Sequence, residues 1–131
     1  MLTMYSYPPC GTCKKAKNWL DANEISYQER HIVEEPPTRK ELQEIKALSG
    51  LEWKKLFNTS GKKYRELGLK DKLPDADEDT IIDWLASDGM LVKRPIVTDG
   101  HHATVGFKED EFEKHWKQYL GNVSPDILGK W

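Results

Sequence analysis

Cysteine is scarce in this chain: two residues in 131, Cys10 and Cys13. No second cysteine pair is present to complete a four-ligand zinc site, and the histidines (His31, His101, His102 and His115) offer no paired ligand spacing on a helix. A basic N-terminal region followed by a long apolar run and a small-residue cleavage site is missing too, and no stretch approaches membrane-spanning length. A cytoplasmic protein without a membrane partner is therefore expected. Charge of one sign is also lacking: the formal net charge is -2 with 32% charged residues. Nothing in that balance attracts nucleic acid in bulk, so any link to DNA is expected to be indirect. With 37% hydrophobic content, 131 residues suffice for one compact domain and are too few for two.

What is present is the stretch Cys10-Gly11-Thr12-Cys13, placed between strand-like Leu2–Tyr7 and the amphipathic segment Lys14–Asn23, which turns Ala16, Trp19 and Leu20 inward. The pair thus straddles a helix N-terminus. Free amide N–H groups there, the positive end of the helix dipole, and the ammonium groups of Lys14 and Lys15 favour thiolate over thiol. Cys10 would lie just outside the first turn as nucleophile; Cys13, inside the helix, would be placed to resolve a mixed disulfide. Half a zinc site, a short structural disulfide restraining little chain entropy, and two unrelated buried cysteines are the competing readings. A reducing compartment favours redox chemistry.

Ile25–Ile32 reads as a second strand, completing a βαβ unit. Glu34-Glu35-Pro36-Pro37 breaks the chain, and Thr38 with Glu41 forms a capping box for a helix through Ser49 with the apolar stripe Leu42, Ile45 and Leu48. Gly50 ends it. Leu51–Phe57 reads as a short helix, Asn58–Gly61 as a turn, Lys62–Leu67 as a helical turn, Gly68–Asp77 as a loop with Pro74 as breaker, and Glu78–Ser87 as a helix presenting Ile81, Ile82, Trp84 and Leu85. Strand character returns at Pro95–Thr98, where Asp99-Gly100 signals a hairpin into Ala103–Val105. The final helix spans Lys108 to about Tyr119, with Phe107, Phe112, Trp116 and Leu120 on its apolar side. The fold class is α/β: a β-α-β half, a helical insertion at about 50–90, then a β-β-α half, with a mixed sheet flanked by helices. Residues 1–120 form one domain on this reading and 121–131 a C-terminal tail.

This order resembles the thioredoxin-like fold, which places a cis proline before its third strand, facing the cysteine motif. The resemblance implies that Arg94-Pro95 is that bond and that Arg94 comes beside Cys10, where a guanidinium lowers a thiolate pKa and grips an oxyanion. A solvated arginine at a loop end is the plainer alternative.

Tyr7–Cys13, Pro36–Leu42, Phe57–Gly61, Tyr64–Leu69 and Lys93–Val97, in that order, together resemble the glutaredoxin-dependent arsenate reductase and Spx family over about residues 1–120. The family's enzymes reduce arsenate through the first motif cysteine, with glutathione and glutaredoxin as reductant. Its Spx-like members bind the C-terminal domain of the RNA polymerase α subunit and use the cysteine pair as an oxidative switch. The resemblance implies catalytic roles for Cys10, Cys13 and Arg94, and an oxyanion cradle from Arg94 and the amides of Gly11, Thr12 and Cys13. It implies no metal and no organic cofactor. Two further oxyanion-binding arginines of the enzymes fall here near Asn58 and Phe107-Lys108, which argues against strong arsenate reduction. Cys13 stands where those enzymes have serine, which makes a reversible Cys10–Cys13 disulfide available. The leading expectation is a thiol-disulfide oxidoreductase reducing arsenate or a related oxyanion; the alternative is an Spx-like redox-sensing regulator. Trp53 with Lys54-Lys55 reads either as a partner surface or as a solvated helix with one inward aromatic.

Overall fold

Alternation along the first strand sets the layers of the molecule, because successive side chains of a strand point to opposite faces. The structure, a computed structural model, describes residues 2–117. In it, β1 (Leu2–Ser6) sends Leu2 and Met4 to one face and Tyr5 to the other, and all three are buried. On the first face they meet Ala16 and Leu20 of α1 (Gly11–Ala22) and Phe112 of α6 (Glu109–His115), with Cys13 in the same cluster. On the second, Tyr5 joins Leu42 and Ile45 of α2 (Arg39–Ser49) and Ile82 and Leu85 of α5 (Glu78–Ser87).

The sheet has four strands in the order β2-β1-β3-β4, with β2 at Tyr27–His31, β3 at Ile96–Thr98 and β4 at Ala103–Val105. β1 runs parallel to β2 and antiparallel to β3, and β4 is antiparallel to β3. This is the mixed sheet of the expected β-α-β and β-β-α halves. Between β2 and β3 lie α2, α3 (Lys62–Glu66), α4 (Leu69–Lys72) and α5, with 3₁₀ turns at Trp53–Leu56, Leu73–Asp75 and Gly89–Leu91.

Local chemistry explains most boundaries. The Thr38 hydroxyl accepts from the Glu41 N–H at 3.1 Å while the Glu41 carboxylate accepts from the Thr38 N–H at 2.9 Å, so the capping box is complete. The Asp77 carboxylate accepts from the Thr80 N–H at 2.8 Å and starts α5. Gly50, at φ 69°, closes α2 in the left-handed region that favours glycine.

Two expectations need correction. Gly68–Asp77 is not a loop: α4 and a 3₁₀ turn fill it, anchored by fully buried Leu69, and Pro74 sits in the first positions of the 3₁₀ turn, where its missing N–H would have had no partner. The hairpin from Thr98 into Ala103 is present as expected, its connection Asp99–His102 held by the Asp99 carboxylate accepting from the N–H groups of His101 and His102, both at 2.8 Å. Leu51–Phe57 contracts to the 3₁₀ turn at Trp53–Leu56, with Trp53 half-buried against the core, under the Lys46 ammonium, and with Lys54 and Lys55 exposed. This matches the solvated helix with an inward aromatic. Leu120, the end of the expected last helix and the tail 121–131 lie outside the described residues. Among the described residues no helix is long and apolar enough to cross a membrane.

The insertion is locked to the βαβ half by a close backbone approach at buried Gly89, where an added Cβ would lie 1.9 Å from the Ile32 carbonyl oxygen and 2.9 Å from Val33 Cα. Neither atom is the end of a flexible side chain, so the backbone itself must shift. Gly89→Ala is expected to destabilise the protein by about 2–3 kcal/mol in urea unfolding, whereas Gly11→Ala, with open space around its Cβ, is expected to change it by only a few tenths.

Candidate active site

The register of β1 against β3 builds the site. Tyr5 pairs with Ile96, and continuing that antiparallel count beyond the strands sets Tyr7 across from Arg94. The Arg94 guanidinium accordingly lies over the Tyr7 ring, 5.0 Å from its centroid. The Arg94-Pro95 peptide bond is cis. From Tyr7 the chain turns through exposed Pro8 and Pro9, with the Cys10 N–H donating to the Tyr7 carbonyl at 2.8 Å, and enters α1 with Cys10 as N-cap.

The two cysteines, both free, sit in different surroundings. Cys13 faces the core between α1 and the sheet and is 1% exposed; Cys10 is half-buried. Burial pushes the Cys10 thiol up, but the Cys13 N–H, the Cys13 thiol, the Thr12 N–H and the Arg94 charge outweigh it, and its pKa falls below the ordinary value. Burial dominates at Cys13 and, with the neighbouring Cys10, pushes its thiol up to about 11, against the Tyr7 N–H donating to its sulfur at 3.4 Å and the Arg94 charge. One thiol is thus shifted toward the thiolate and the other toward the protonated form beside it.

Cys10 opens into a cleft of about 300 Å³. Thr12 and Arg94 line it, as do Asn58 and Ser60 from the turn before α3. Its far wall is the end of β4 and the start of α6: Val105, Gly106, Phe107 and Lys108. Lys93 completes it. The turn is held there by a short antiparallel bridge between Phe57 and Val92, in which the Asn58 N–H donates to the Leu91 carbonyl and the Lys93 N–H to the Leu56 carbonyl, both at 2.8 Å. Phe107 is fixed edge-on to Phe112, with ring centroids 4.8 Å apart.

The expected site residues therefore divide. Cys10, Cys13, Arg94 and Pro95 come together at one end of the sheet, as described. Thr12 lines the cleft, while Gly11 is exposed at the start of α1 and is not among its lining residues. The amides of Thr12 and Cys13 act on the Cys10 sulfur itself. Arg94 has a dual engagement: Nη1 donates to the Met90 and Val92 carbonyls at 3.5 and 3.4 Å, whereas its buried Nε has no hydrogen-bond partner among the described residues. Asn58 and Phe107-Lys108, the positions without the expected arginines, do reach this cleft. Lys93, Ser60, Val105 and Gly106 were not anticipated. Lys93 could have been found only from the β3–β4 register, which pairs Ile96 with Val105 and, continued, sets Lys93 across from Lys108. Among the described residues no group of three or more His, Cys, Asp or Glu side chains could hold a metal ion.

Fold and site together define a thioredoxin-like α/β protein with a thiol centre at a helix N-terminus. The ArsC family profile matches residues 5–115, and the chain belongs to that family. It is 57% identical over 115 residues to uncharacterized protein YusI of Bacillus subtilis strain 168, covering 88% of this chain and 98% of the relative. It is 34% identical to global transcriptional regulator Spx of Enterococcus faecalis, covering 87% and 85% of the two chains. The crystal structure of a possible arsenate reductase from Streptococcus mutans UA159 superposes with a TM-score of 0.79 at 42% identity, covering 86% of this chain and 98% of that one.

Because the Cys10 pKa is lowered and that of Cys13 is near 11, alkylation by iodoacetamide should modify Cys10 first, with a half-maximal pH below that of free cysteine, and reach Cys13 only in strong alkali or after unfolding. Arg94→Met removes a charge that stabilises the thiolate, so the Cys10 midpoint should move to higher pH; mass spectrometry of each peptide against pH checks both statements.

Proposed function

We propose that this protein is a cytoplasmic thiol-disulfide oxidoreductase in which Cys10 is the nucleophile, Cys13 the resolving thiol, and Arg94 the thiolate stabiliser and anion clamp. The opposed preparation of the two thiols carries this reading: a half-buried, thiolate-favouring Cys10 opens onto a cleft, and a buried, protonated Cys13 lies against its sulfur. Thiolate on Cys10 attacks one sulfur of a disulfide R–S–S–R; the Cys10–S–R bond forms and RS⁻ leaves, taking a proton. Cys13 then loses its proton and attacks the Cys10 sulfur, releasing the second RS⁻ and closing the Cys10–Cys13 disulfide. Two electrons pass from the cysteine pair to the substrate, and an external thiol system such as glutathione with glutaredoxin returns them.

Arsenate is a weak substrate in this reading. A compact, strongly hydrated oxyanion needs several forked donors to replace its water, and of the arginine positions only Arg94 is filled.

A second reading is favoured by the similarity to Spx together with the pair of closable thiols. In it, oxidation of Cys10 and Cys13 changes affinity for the C-terminal domain of the RNA polymerase α subunit, the partner implied by the resemblance, with no direct contact to nucleic acid.

Cys10→Ser should abolish reduction of a small disulfide, and Cys13→Ser should accumulate a covalent adduct on Cys10, seen as a mass increase of one RS group. Full activity in Cys10→Ser would refute the assignment. With arsenate, glutathione and glutaredoxin, turnover is expected to be at least about 100-fold below disulfide reduction, equivalent to some 2.7 kcal/mol of missing transition-state stabilisation. Redox-dependent capture of the α-subunit domain by wild type, lost in Cys13→Ser, would instead establish the regulator.

A further inference from the structure

Among the described residues, the cleft beside Cys10 carries three cationic side chains, Lys93, Arg94 and Lys108, and no carboxylate lines it. Lys93 and Lys108 form no ion pair among the described residues, whereas Lys17, Lys63 and Lys117 each have a carboxylate within 4.0 Å. Lys93 is exposed at the rim, its backbone fixed on one side and its stem passing close to Gly106 on the other. Its N–H donates to Leu56, and its Cε lies 3.1 Å from where a Cβ on Gly106 would stand, so the glycine, at φ 86°, leaves room for the ammonium stem to cross the end of β4. Cations gathered this way raise the local concentration of anions.

The remaining lining identifies what kind of anion. Lysines are point charges and do not reproduce the planar fork that suits a tetrahedral oxyanion. Val105 and Phe107 add apolar surface, and Asn58 and Ser60 add neutral polar groups. A cleft of about 300 Å³ lies at the lower end of small organic-molecule sites, which run from roughly 300 to 1,000 Å³, and is larger than a single oxyanion requires. The description fits an organic body bearing carboxylates.

We propose that Lys93, with Lys108, selects carboxylate-bearing organic disulfides as substrates of Cys10. This rests on the oxidoreductase reading and names its substrate class. The exchange follows the balance given above, the carboxylate end of the disulfide lying toward Lys93 while one of its sulfurs meets the Cys10 thiolate.

A series of small disulfides of similar size tests it: dianionic dithiodiglycolate, neutral 2-hydroxyethyl disulfide and dicationic cystamine. Single-turnover oxidation of the fully reduced protein would be followed by mass, with each rate divided by that of 2-mercaptoethanol, a thiol with no other charged group, and the same disulfide to cancel leaving-group effects. The normalised rate should favour the dianion over the dication by about tenfold or more at low ionic strength, and the preference should shrink at high salt. Lys93→Met should lower the dianion-to-neutral ratio about fivefold, and Lys93→Arg should restore most of it. Equal normalised rates across the series, or an unchanged ratio in Lys93→Met, would overturn the inference while leaving the oxidoreductase reading intact. Absence of Cys10-dependent reduction of all three disulfides would overturn that reading, and this one with it.

Discussion

The antiparallel register between β1 and β3 is the constraint on which the site depends. Pairing Tyr5 with Ile96 carries the residues after β1 past the residues before β3, so the cysteine-bearing turn and the Arg94-Pro95 segment meet at one end of the sheet. Pairing Ile96 with Val105 carries the same end across to Gly106, whose N–H donates to the Pro95 carbonyl at 2.8 Å. A slip of one residue would send Leu2 and Met4 to the face now holding Tyr5 and break both cores at once. The hydrophobic pattern that fixes the fold therefore also brings Cys10 and the Arg94 guanidinium to one cleft, without any residue dedicated to that task.

Packing likewise divides labour between the cysteines. Cys13, Ala16 and Leu20 share one face of α1 and enter the core with Phe112, so the second thiol is desolvated because the helix must bury that stripe. Cys10 precedes the first turn, where unpaired amides are concentrated and the core has not begun. Moving the pair by one position along the helix would turn the second sulfur away from the core. The chemical asymmetry is a consequence of where the motif sits relative to the apolar stripe.

Local signals made much of this legible. Thr38 and Glu41 announced a helix start through their capping box, Gly50 announced its end, and the cysteine pair was readable as straddling a helix N-terminus. Expectations fell short where tertiary contacts decided: Leu69 makes a short helix in a stretch rich in loop-favouring residues because it reaches the core. Lys93 joins the cleft through strand register, and Gly89 is required by an approach to Ile32 and Val33 from far along the chain. Neither is marked by composition or spacing, since pairing partners distant in sequence leave no periodic trace. Lys14 and Lys15 differ from Arg94 in where they lie. They adjoin the motif in sequence but are exposed, and the cation acting on both sulfurs is Arg94, from the other half of the chain.

Charge and redox state are coupled in such a cleft. With Cys10 as thiolate, one of the three positive charges is balanced from within, and the amides of Thr12 and Cys13 are turned to the same sulfur. Closing a Cys10–Cys13 disulfide removes that negative charge, while Lys93, Arg94 and Lys108 stay where the sheet holds them. The oxidised cleft is then one unit more positive than the reduced one and presents freed amides to its contents. Arg94 is half-buried while Lys93 and Lys108 are exposed, so salt screens part of that difference, and at low ionic strength oxidation strengthens the hold on any anion already there. An enzyme would experience this as slower release of an anionic product until the pair is reduced again; a regulator would present a surface whose affinity for an acidic partner rises with oxidation. The same electrostatic step serves both readings, because it follows from a thiolate titrated against fixed cations and not from the identity of what binds.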